Sequence, residues 1–341
     1  MSADTSAVET IEEVARAIVG RYSLDTKSDW ESQAWADFTN AELIANGGLG
    51  VGDPDWFEYA CAVLRGAFCE ETNLPLVEAS LVRLIFDREA PSAAAVAFVD
   101  PDIPQSLTCE DRDDGRKITG WATGVPWSAV TDFIVARGPE PDTWILVRVA
   151  DCEIDRRTDR WGRPVGDVRM SETTVQAVGR MTEERVMSYG RVAVACAMSG
   201  TMSTILAMSI KYAKEREQFG RPLWSFQTIK HQLVVASELV KVAERTSIAS
   251  ADIARTSDER MVSLLAKCTA GSAATTVGNI AHHVHGAIGM TDEYKLSHLT
   301  RQLFMLRDRF GSEHECLRAF AKGLVSVTSS GTSLWELITA L

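Results

Sequence analysis

Tyr212-Ala213-Lys214-Glu215-Arg216-Glu217-Gln218-Phe219-Gly220-Arg221-Pro222-Leu223-Trp224-Ser225-Phe226-Gln227 is the stretch on which the reading of this chain turns. It joins the end of one apolar-periodic segment to the start of another. Gly220 and Pro222 punctuate it, so Phe226 and Gln227 open the next helix. A guanidinium at a helix end, here Arg216, is a fork donor suited to a phosphate or diphosphate. Phe219 offers a flat apolar face, and Gln227 offers amide hydrogen bonds. By residue type alone the segment is also compatible with a plain helix–turn–helix in which Arg216 pairs with Glu215 or Glu217 on the surface.

Working outward, the segment sits among long helical pieces. One is predicted from Thr182, a side-chain cap followed by two acids, to about Arg216. A second starts near Ser225, with Ile229, Leu233, Ala236, Val240 and Ala243 alternating at four- and three-residue spacing, a stripe that needs a partner. A third covers about Asp258 to His285 and is dense in Ala, Gly, Ser and Thr, which lets helices approach closely. A fourth starts near Asp292. Residues 181–328 are therefore expected to form a C-terminal four-helix bundle, with residues 329–341 a loosely held tail.

Upstream the pattern changes. Residues 93–180 hold short runs rich in Val, Ile, Thr and aromatics: Ala94–Val99, Lys117–Thr123, Asp132–Arg137, Trp144–Val149 and Thr173–Val178. Asp114-Gly115 and Gly138-Pro139 supply turns between them. This predicts a small antiparallel β domain without a βαβ rhythm. Residues 1–92 read as an N-terminal helical domain. Ile11, Val14, Ala15 and Ile18 form one stripe there, and Trp56 to Phe68 form a second helix opened by Asp53-Pro54. Asn46 to Gly52 is glycine-rich but lacks the flanking strand and the Lys-Ser/Thr of a phosphate loop. The expected class is an α+β fold in several segments: helices, a small β domain, then a long bundle.

Composition narrows the function. The chain has 341 residues, 45% of them hydrophobic, and a net charge of −12, which argues against a nucleic-acid binder. An anionic small ligand needs only a local basic site and stays possible. Seven scattered cysteines with no CxxC suggest free thiols in a reducing compartment. The polar first ten residues carry no targeting signal, and no uninterrupted apolar run reaches the ~20 residues of a bilayer span. The expectation is a cytoplasmic protein.

The opening stretch resembles the Y-A-x-x-R-x-Q-F-G-x-P-I-x-x-F-Q segment of acyl-CoA dehydrogenases. A second run agrees with it: His283-Val284-His285-Gly286-Ala287-Ile288-Gly289-Met290-Thr291-Asp292-Glu293, then Arg301. It looks like the family's Q-x-x-G-G-x-G-x-T-x-E followed by Arg. The helix–β–helix order agrees too, so the resemblance covers nearly the whole chain and is weakest before about residue 90. It implies FAD as cofactor, with Arg216, Phe219, Gln227, His283, Gly286 and Gly289 as the cofactor-binding residues. In the family the matching residues reach a flavin across a dimer interface. His283 stands where the family has Gln, and Ala287 replaces a Gly.

The same resemblance exposes departures. The family removes an α-proton with a glutamate, because a desolvated carboxylate can be tuned to receive it. One glutamate position lies nine residues after Arg301 and holds Phe310; the other lies 26 residues before Arg216 and holds Gly190. No catalytic residue is therefore assigned. At the segment that lies against the flavin, Gly124-Val125-Pro126 replaces the family's Trp/Phe-Ile-Thr/Ser, and Pro126 lacks an amide donor. A loop that touches flavin and substrate is only echoed by Val99-Asp100-Pro101. Residues donated across the interface are kept, and residues that serve a subunit's own flavin are lost. Short subunits of actinobacterial heterotetrameric acyl-CoA dehydrogenases look like this, and several such pairs act on steroid side-chain CoA thioesters. The resemblance implies a longer catalytic partner and an acyl-CoA substrate.

Two other readings stay open. One is a self-sufficient dehydrogenase whose base is Glu313, Asp308, Glu183 or Glu184, against the plainer view of these acids as helix-end charges. The other is a flavin-free scaffold, since fold does not dictate function. No metal site is expected. His282 and His285 are three apart but lack a third ligand, and His231 reads as a packing or hydrogen-bonding residue on its helix.

Overall fold

The computed structural model describes residues 5–21, 55–72, 74–86, 96–101, 103–113, 115–253 and 258–329. The chain divides into two compact units. One comprises residues 1–23, 61–72 and 191–341, and the other residues 24–60 and 73–190.

The second unit is built on a sheet of β1 (Val96–Phe98), β2 (Gln105–Arg112), β3 (Gly115–Pro126), β4 (Phe133–Arg137), β5 (Thr143–Arg148), β6 (Glu153–Thr158) and β7 (Pro164–Arg180). Its order is β1-β4-β5-β7-β3-β2, with β6 also on β7. The 17-residue β7 organises it, pairing β5 through residues 175–180 and β3 through residues 165–174. All pairings are antiparallel except β1 on β4, which is parallel. The antiparallel expectation is corrected at that one pair. The five expected strands are present with shifted ends. The sequence did not announce β2 and β6, because β6 carries Glu153, Asp155, Arg156 and Arg157, and a charged edge strand has no apolar alternation to read. The helix Leu76–Phe86 covers this sheet, and Gly179 lets it approach, since a Cβ there would lie 2.3 Å from the Ile85 side chain.

The first unit is helical. We label its helices α1 (Thr5–Arg21), α2 (Trp56–Ala67, whose residues from Cys61 on belong here), α4 (Glu183–Glu215, from Arg191 on), α5 (Gln227–Ala251), α6 (Glu259–His285), α7 (Lys295–Arg307) and α8 (Glu313–Ser329); α3 is Leu76–Phe86. The expected starts hold at the caps. Thr182 Oγ1 accepts from Arg185 N–H at 3.3 Å, and the Asp258 carboxylate accepts from Met261 N–H at 3.0 Å. The α5 stripe is buried at Leu233, Ala236, Val240 and Ala243. The small-residue helix α6 buries Ala270, Gly271, Ala273, Ala274, Val277, Gly278 and Ala281 and packs against α5, α7 and α8. The expected fourth helix is in fact two. Phe310 and Gly311 take φ of 55° and 92°, which no helix can follow, and α7 stops before them.

Two corrections concern faces and spans. On α1, among the described side chains, Ala15 of the expected stripe is buried and Ile11 half-buried, joined by the buried Val19, whereas Val14 is 39% exposed. The segment Glu183–Glu215 is apolar and long enough to cross a membrane by composition, but 72% of its apolar window is buried within the fold. Ser199, Thr201 and Thr204 in it are used for packing. Thr201 Oγ1 donates to Phe68 O at 2.9 Å and Thr204 Oγ1 to Cys69 O at 2.7 Å. Gln302 adds Nε2 to Thr201 Oγ1 at 2.9 Å and receives Thr72 N–H at 2.7 Å. All seven cysteines are free. Asn46–Gly52, Asp53-Pro54, Ala94-Ala95, Asp114 and the tail from 330 lie outside the described residues.

Gly200 is where α4 meets α2 most closely: a Cβ there would lie 2.1 Å from Arg65 O. Backbone cannot yield as a side-chain tip can. Gly200→Ala is expected to lower stability by more than about 2 kcal/mol, read as a fall in the urea midpoint at unchanged slope. An unaltered midpoint would mean that α2 moves freely on α4.

Candidate functional site

The helix α4 ends at Glu215 and the chain turns back at once. Glu217–Gln218 and Arg221–Pro222 pair as a short hairpin whose two-residue loop is Phe219-Gly220. Both loop residues have positive φ, 56° and 76°, the requirement of a type I′ loop. Glycine adopts it freely; phenylalanine does so at a cost of roughly 1–2 kcal/mol. Phe219 is moreover 91% exposed. A bulky ring held in a strained conformation and offered to solvent, with an edge contact to Phe226 at 6.1 Å, makes the tip a candidate contact element. Leu223 N–H donates to Arg216 O at 2.8 Å and closes the loop.

Three of the sequence-predicted residues cluster with this hairpin. Arg216 is exposed, and among the described residues its guanidinium makes no hydrogen bond or ion pair. The surface pairing with Glu215 or Glu217 is not formed. Gln227 is the exposed first residue of α5, behind a Phe226 cap that supplies no side-chain hydrogen bond. The first amides of α5 therefore point outward without a side-chain acceptor, which favours an anion nearby. Arg221 lies over the Phe226 ring at 4.2 Å and Lys214 over the Trp224 ring at 5.4 Å. Three cations, Lys214, Arg216 and Arg221, thus gather at this end of a −12 chain, beside the exposed Glu215 and Glu217.

The second motif reaches the same end of the bundle through packing. Ala213, Leu233 and Val284 form a buried cluster with Tyr212, Leu223, Trp224, Ile229 and Ile280 against it, which ties the ends of α4 and α6 to the start of α5. His283 is exposed at the last turn of α6 and is bonded through Nδ1 to the Gln232 amide. Gly286 ends α6 with φ 64°, ψ −145° and is exposed. Gly289 differs. It is buried, and a Cβ there would lie 3.0 Å from His285 Cβ and 3.1 Å from Leu296 Cδ2. Its missing side chain serves the packing of this chain, in contrast to the exposed Gly286.

The remaining histidines are placed by packing. His282 Nε2 lies 3.0 Å from Thr300 Oγ1. His285 donates from Nδ1 to Ala281 O at 2.8 Å and stacks on Tyr212 at 4.4 Å, with Tyr294 at 5.3 Å. Burial holds both imidazoles below their ordinary pKa. His231, expected to pack or bond, is exposed on α5. Among the described residues no group of three or more His, Cys, Asp or Glu side chains is placed to hold a metal.

The positions that would carry a base are part of the core. Phe310 is fully buried with its ring under Arg309 at 5.0 Å, and Gly190 is buried within α4. The turn around Phe310 is held by cations. Lys267, fully buried on α6, donates to Arg307 O at 2.6 Å and Gly311 O at 2.9 Å, and Arg191 Nε donates to Phe310 O at 3.4 Å. Burial depresses the Lys267 ammonium to about 8, against the pull of Cys316 and Asp308. The acids weighed as substitutes are engaged elsewhere: Glu183 with Arg137, and Asp308 with Arg307 at 3.4 Å. Glu313 flanks Gly271 on α6.

In the other unit, Gly124-Val125-Pro126 is used up internally. Val125 and Pro126 pair with Gly166 and Val165 on β7, and both are buried. Trp127, 2% exposed at φ 66°, donates its N–H to Pro164 O at 2.8 Å. Gly124 N–H is taken by Asp167 Oδ1 at 2.6 Å, and Arg157 pairs with that carboxylate. Asp100 is buried as well. The exposed end of the bundle, with the Arg216 guanidinium unpaired among the described residues, holds donors of the kind an anionic dinucleotide takes. The β3 segment, with its side chains buried and the Gly124 and Trp127 amides engaged, does not fit a flavin face.

Comparison with known proteins agrees with the helical half most directly. Residues 179–323 match the family acyl-CoA dehydrogenase, C-terminal domain. Acyl-CoA dehydrogenase FadE34 of Mycobacterium tuberculosis is 28% identical over 276 residues, 74% of this chain but only 37% of the relative's length. Among solved structures, the Tcur3481-Tcur3483 steroid ACAD superposes with a TM-score of 0.79 at 20% identity, covering 95% of this chain and 99% of that one. The ChsE4-ChsE5 complex from Mycobacterium tuberculosis gives 0.79 at 18% identity, covering 95% and 98%. At those identities the two structures establish the shared fold.

Proposed function

We propose, from the match of residues 179–323 to the acyl-CoA dehydrogenase C-terminal domain, that this chain is a non-catalytic subunit of that family that completes a partner's FAD site. The observation that carries this is the contrast between its two faces. The exposed Phe219 tip makes one edge contact, to the Phe226 ring at 6.1 Å, and the Arg216 guanidinium has no partner among the described residues. The Gly124–Trp127 segment and Phe310 are filled in.

In the proposed assembly each residue has a defined task. Arg216 supplies a fork to a diphosphate oxygen. Gln227 and the first amides of α5 add donors beside it. Phe219 would offer its exposed ring to an apolar part of the cofactor. His283 and Gly286 bring one hydrogen-bonding ring and a side-chain-free stretch of backbone to the same ligand. Bound flavin supplies the acceptance of a hydride. The proton of the substrate is the partner's to remove, because neither Phe310 nor Gly190 can hold it. The substrate class is an acyl-CoA thioester, and the structural neighbour described as a steroid ACAD favours a steroid side chain. Assembly with an unlike subunit, as a heterotetramer in this reading, is supported by the neighbour that is a ChsE4-ChsE5 complex.

The test is flavin content. The chain purified alone is expected to be colourless, and co-expressed with the acyl-CoA dehydrogenase encoded beside it, to give a yellow complex with about one FAD per unlike pair. A yellow homomer that bleaches with an acyl-CoA would overturn the proposal and point to Glu313, Asp308, Glu183 or Glu184 as base.

A further inference from the structure

His283 reaches the exposed end of α6 with one ring nitrogen already engaged, and its partner is a residue that neither motif contains. The Gln232 carboxamide sets both of its ends against the same atom: Nε2 lies 2.9 Å and Oε1 3.0 Å from His283 Nδ1. An amide N–H donates to an unprotonated Nδ1, and an amide oxygen accepts from a protonated one. The contact is thus satisfied in either tautomer by rotation of the amide. The other ring nitrogen, Nε2, has no hydrogen-bond partner among the described residues. Gln232 sits on α5 and His283 on α6, two helices locked together by Leu233 and Val284 in the cluster beneath. The pair therefore rides on rigid scaffold, as a presenting residue should.

We propose that Gln232 is the positioning residue for His283. It fixes the ring plane and leaves Nε2 free to face an outside ligand either as donor or as acceptor. A glutamine at position 283 would offer both a donor and an acceptor. A lone imidazole nitrogen offers one at a time, and the flippable amide behind it restores the choice. The ligand chemistry it suits is a dinucleotide edge that mixes phosphate oxygens with ribose hydroxyls. This rests on the reading that this end of the bundle faces a neighbour's FAD.

Gln232→Glu replaces the amide by a group that only accepts, which keeps a proton on Nδ1, so that at a pH where the ring is neutral Nε2 can only accept. Gln232→Leu removes the contact. With nitrogen-labelled histidine, in the chain alone or in its complex, Gln232→Glu is expected to move the His283 Nδ1 signal to the protonated range, and Gln232→Leu to move it differently. In the yellow complex Gln232→Glu is expected to speed FAD release roughly ten-fold. In a His283→Gln background the same change is expected to have little effect, since coupled residues are non-additive. Unchanged His283 nitrogen signals in both variants would overturn the pairing. A tautomer change with unaltered FAD release would make the pair an internal contact and remove the cofactor-facing role. An equal effect in the His283→Gln background would show that Gln232 acts by itself.

Discussion

Arg216→Ala, made in the assembled complex, is expected to weaken FAD retention about 10- to 100-fold while leaving the subunit folded. The magnitude follows from one charge-assisted contact to a phosphate, worth roughly 1.5–3 kcal/mol, at about 1.4 kcal/mol per ten-fold. The specificity follows from the structure. Arg216 is exposed and its guanidinium is unpaired, so its loss removes nothing from the core, and the subunit's own unfolding midpoint should stay within about 0.5 kcal/mol of the parent. Arg216→Lys keeps the charge but not the fork and should recover only part of the loss. The measurement is flavin absorbance of the complex after gel filtration at low and moderate salt. Full flavin occupancy in Arg216→Ala would remove the diphosphate role and leave the hairpin without a ligand.

Lys267→Met is expected to be the most damaging single change in the bundle at the level of stability. Two carbonyls, Arg307 O and Gly311 O, lose their buried donor, at about 1–3 kcal/mol for each group left unsatisfied. The turn they belong to carries Phe310 in a left-handed conformation, which persists only while its surroundings hold it. A loss of about 2–3 kcal/mol near neutral pH is expected in denaturant unfolding.

The pH dependence has a definite sign. The folded-state pKa of Lys267 is about 8 against an ordinary 10.5. Between those values the unfolded chain holds a proton that the folded chain does not, so stability rises with pH across the window. Its contribution is full above about 10.5 and is lost as pH falls through 8, a span of about 3 kcal/mol. The gap between the parent and Lys267→Met should therefore widen from pH 8 to about 10.5. A constant gap would mean that the ammonium stays charged in the folded state.

Much of the architecture was legible because it rests on local rules. The α5 stripe from Leu233 to Ala243, the caps at Thr182 and Asp258, and the small-residue packing of α6 all follow from helix periodicity and capping. The runs that became β1, β3, β4, β5 and β7 are short and rich in Val, Ile, Thr and aromatics. The hairpin Glu217–Pro222 was legible as a turn from Phe219-Gly220 and Pro222. What failed to show lacks a local signature. The strand β6 is charged along its length and pairs only because β7 lies beside it. The parallel seating of β1 on β4 depends on a partner far along the chain. The face of α1 was misjudged at Val14 because burial is set by what covers a helix.

The candidate site divides in the same way. The sequence by itself named the candidate cofactor-binding residues, Arg216, Phe219, Gln227, His283, Gly286 and Gly289, and put Phe310 and Gly190, neither of which can accept a proton, at the two expected base positions, because identity and spacing are properties of the chain. Only the tertiary structure decided their condition. It left the Arg216 guanidinium unpaired, put Phe219 at a strained exposed tip, turned Gly289 inward as a packing residue, and bound His283 to Gln232. It also placed Lys267 under the turn at Phe310, 40 residues from the nearer carbonyl it holds. Contacts between residues so distant in sequence are fixed by the packing of whole helices, which no local pattern encodes.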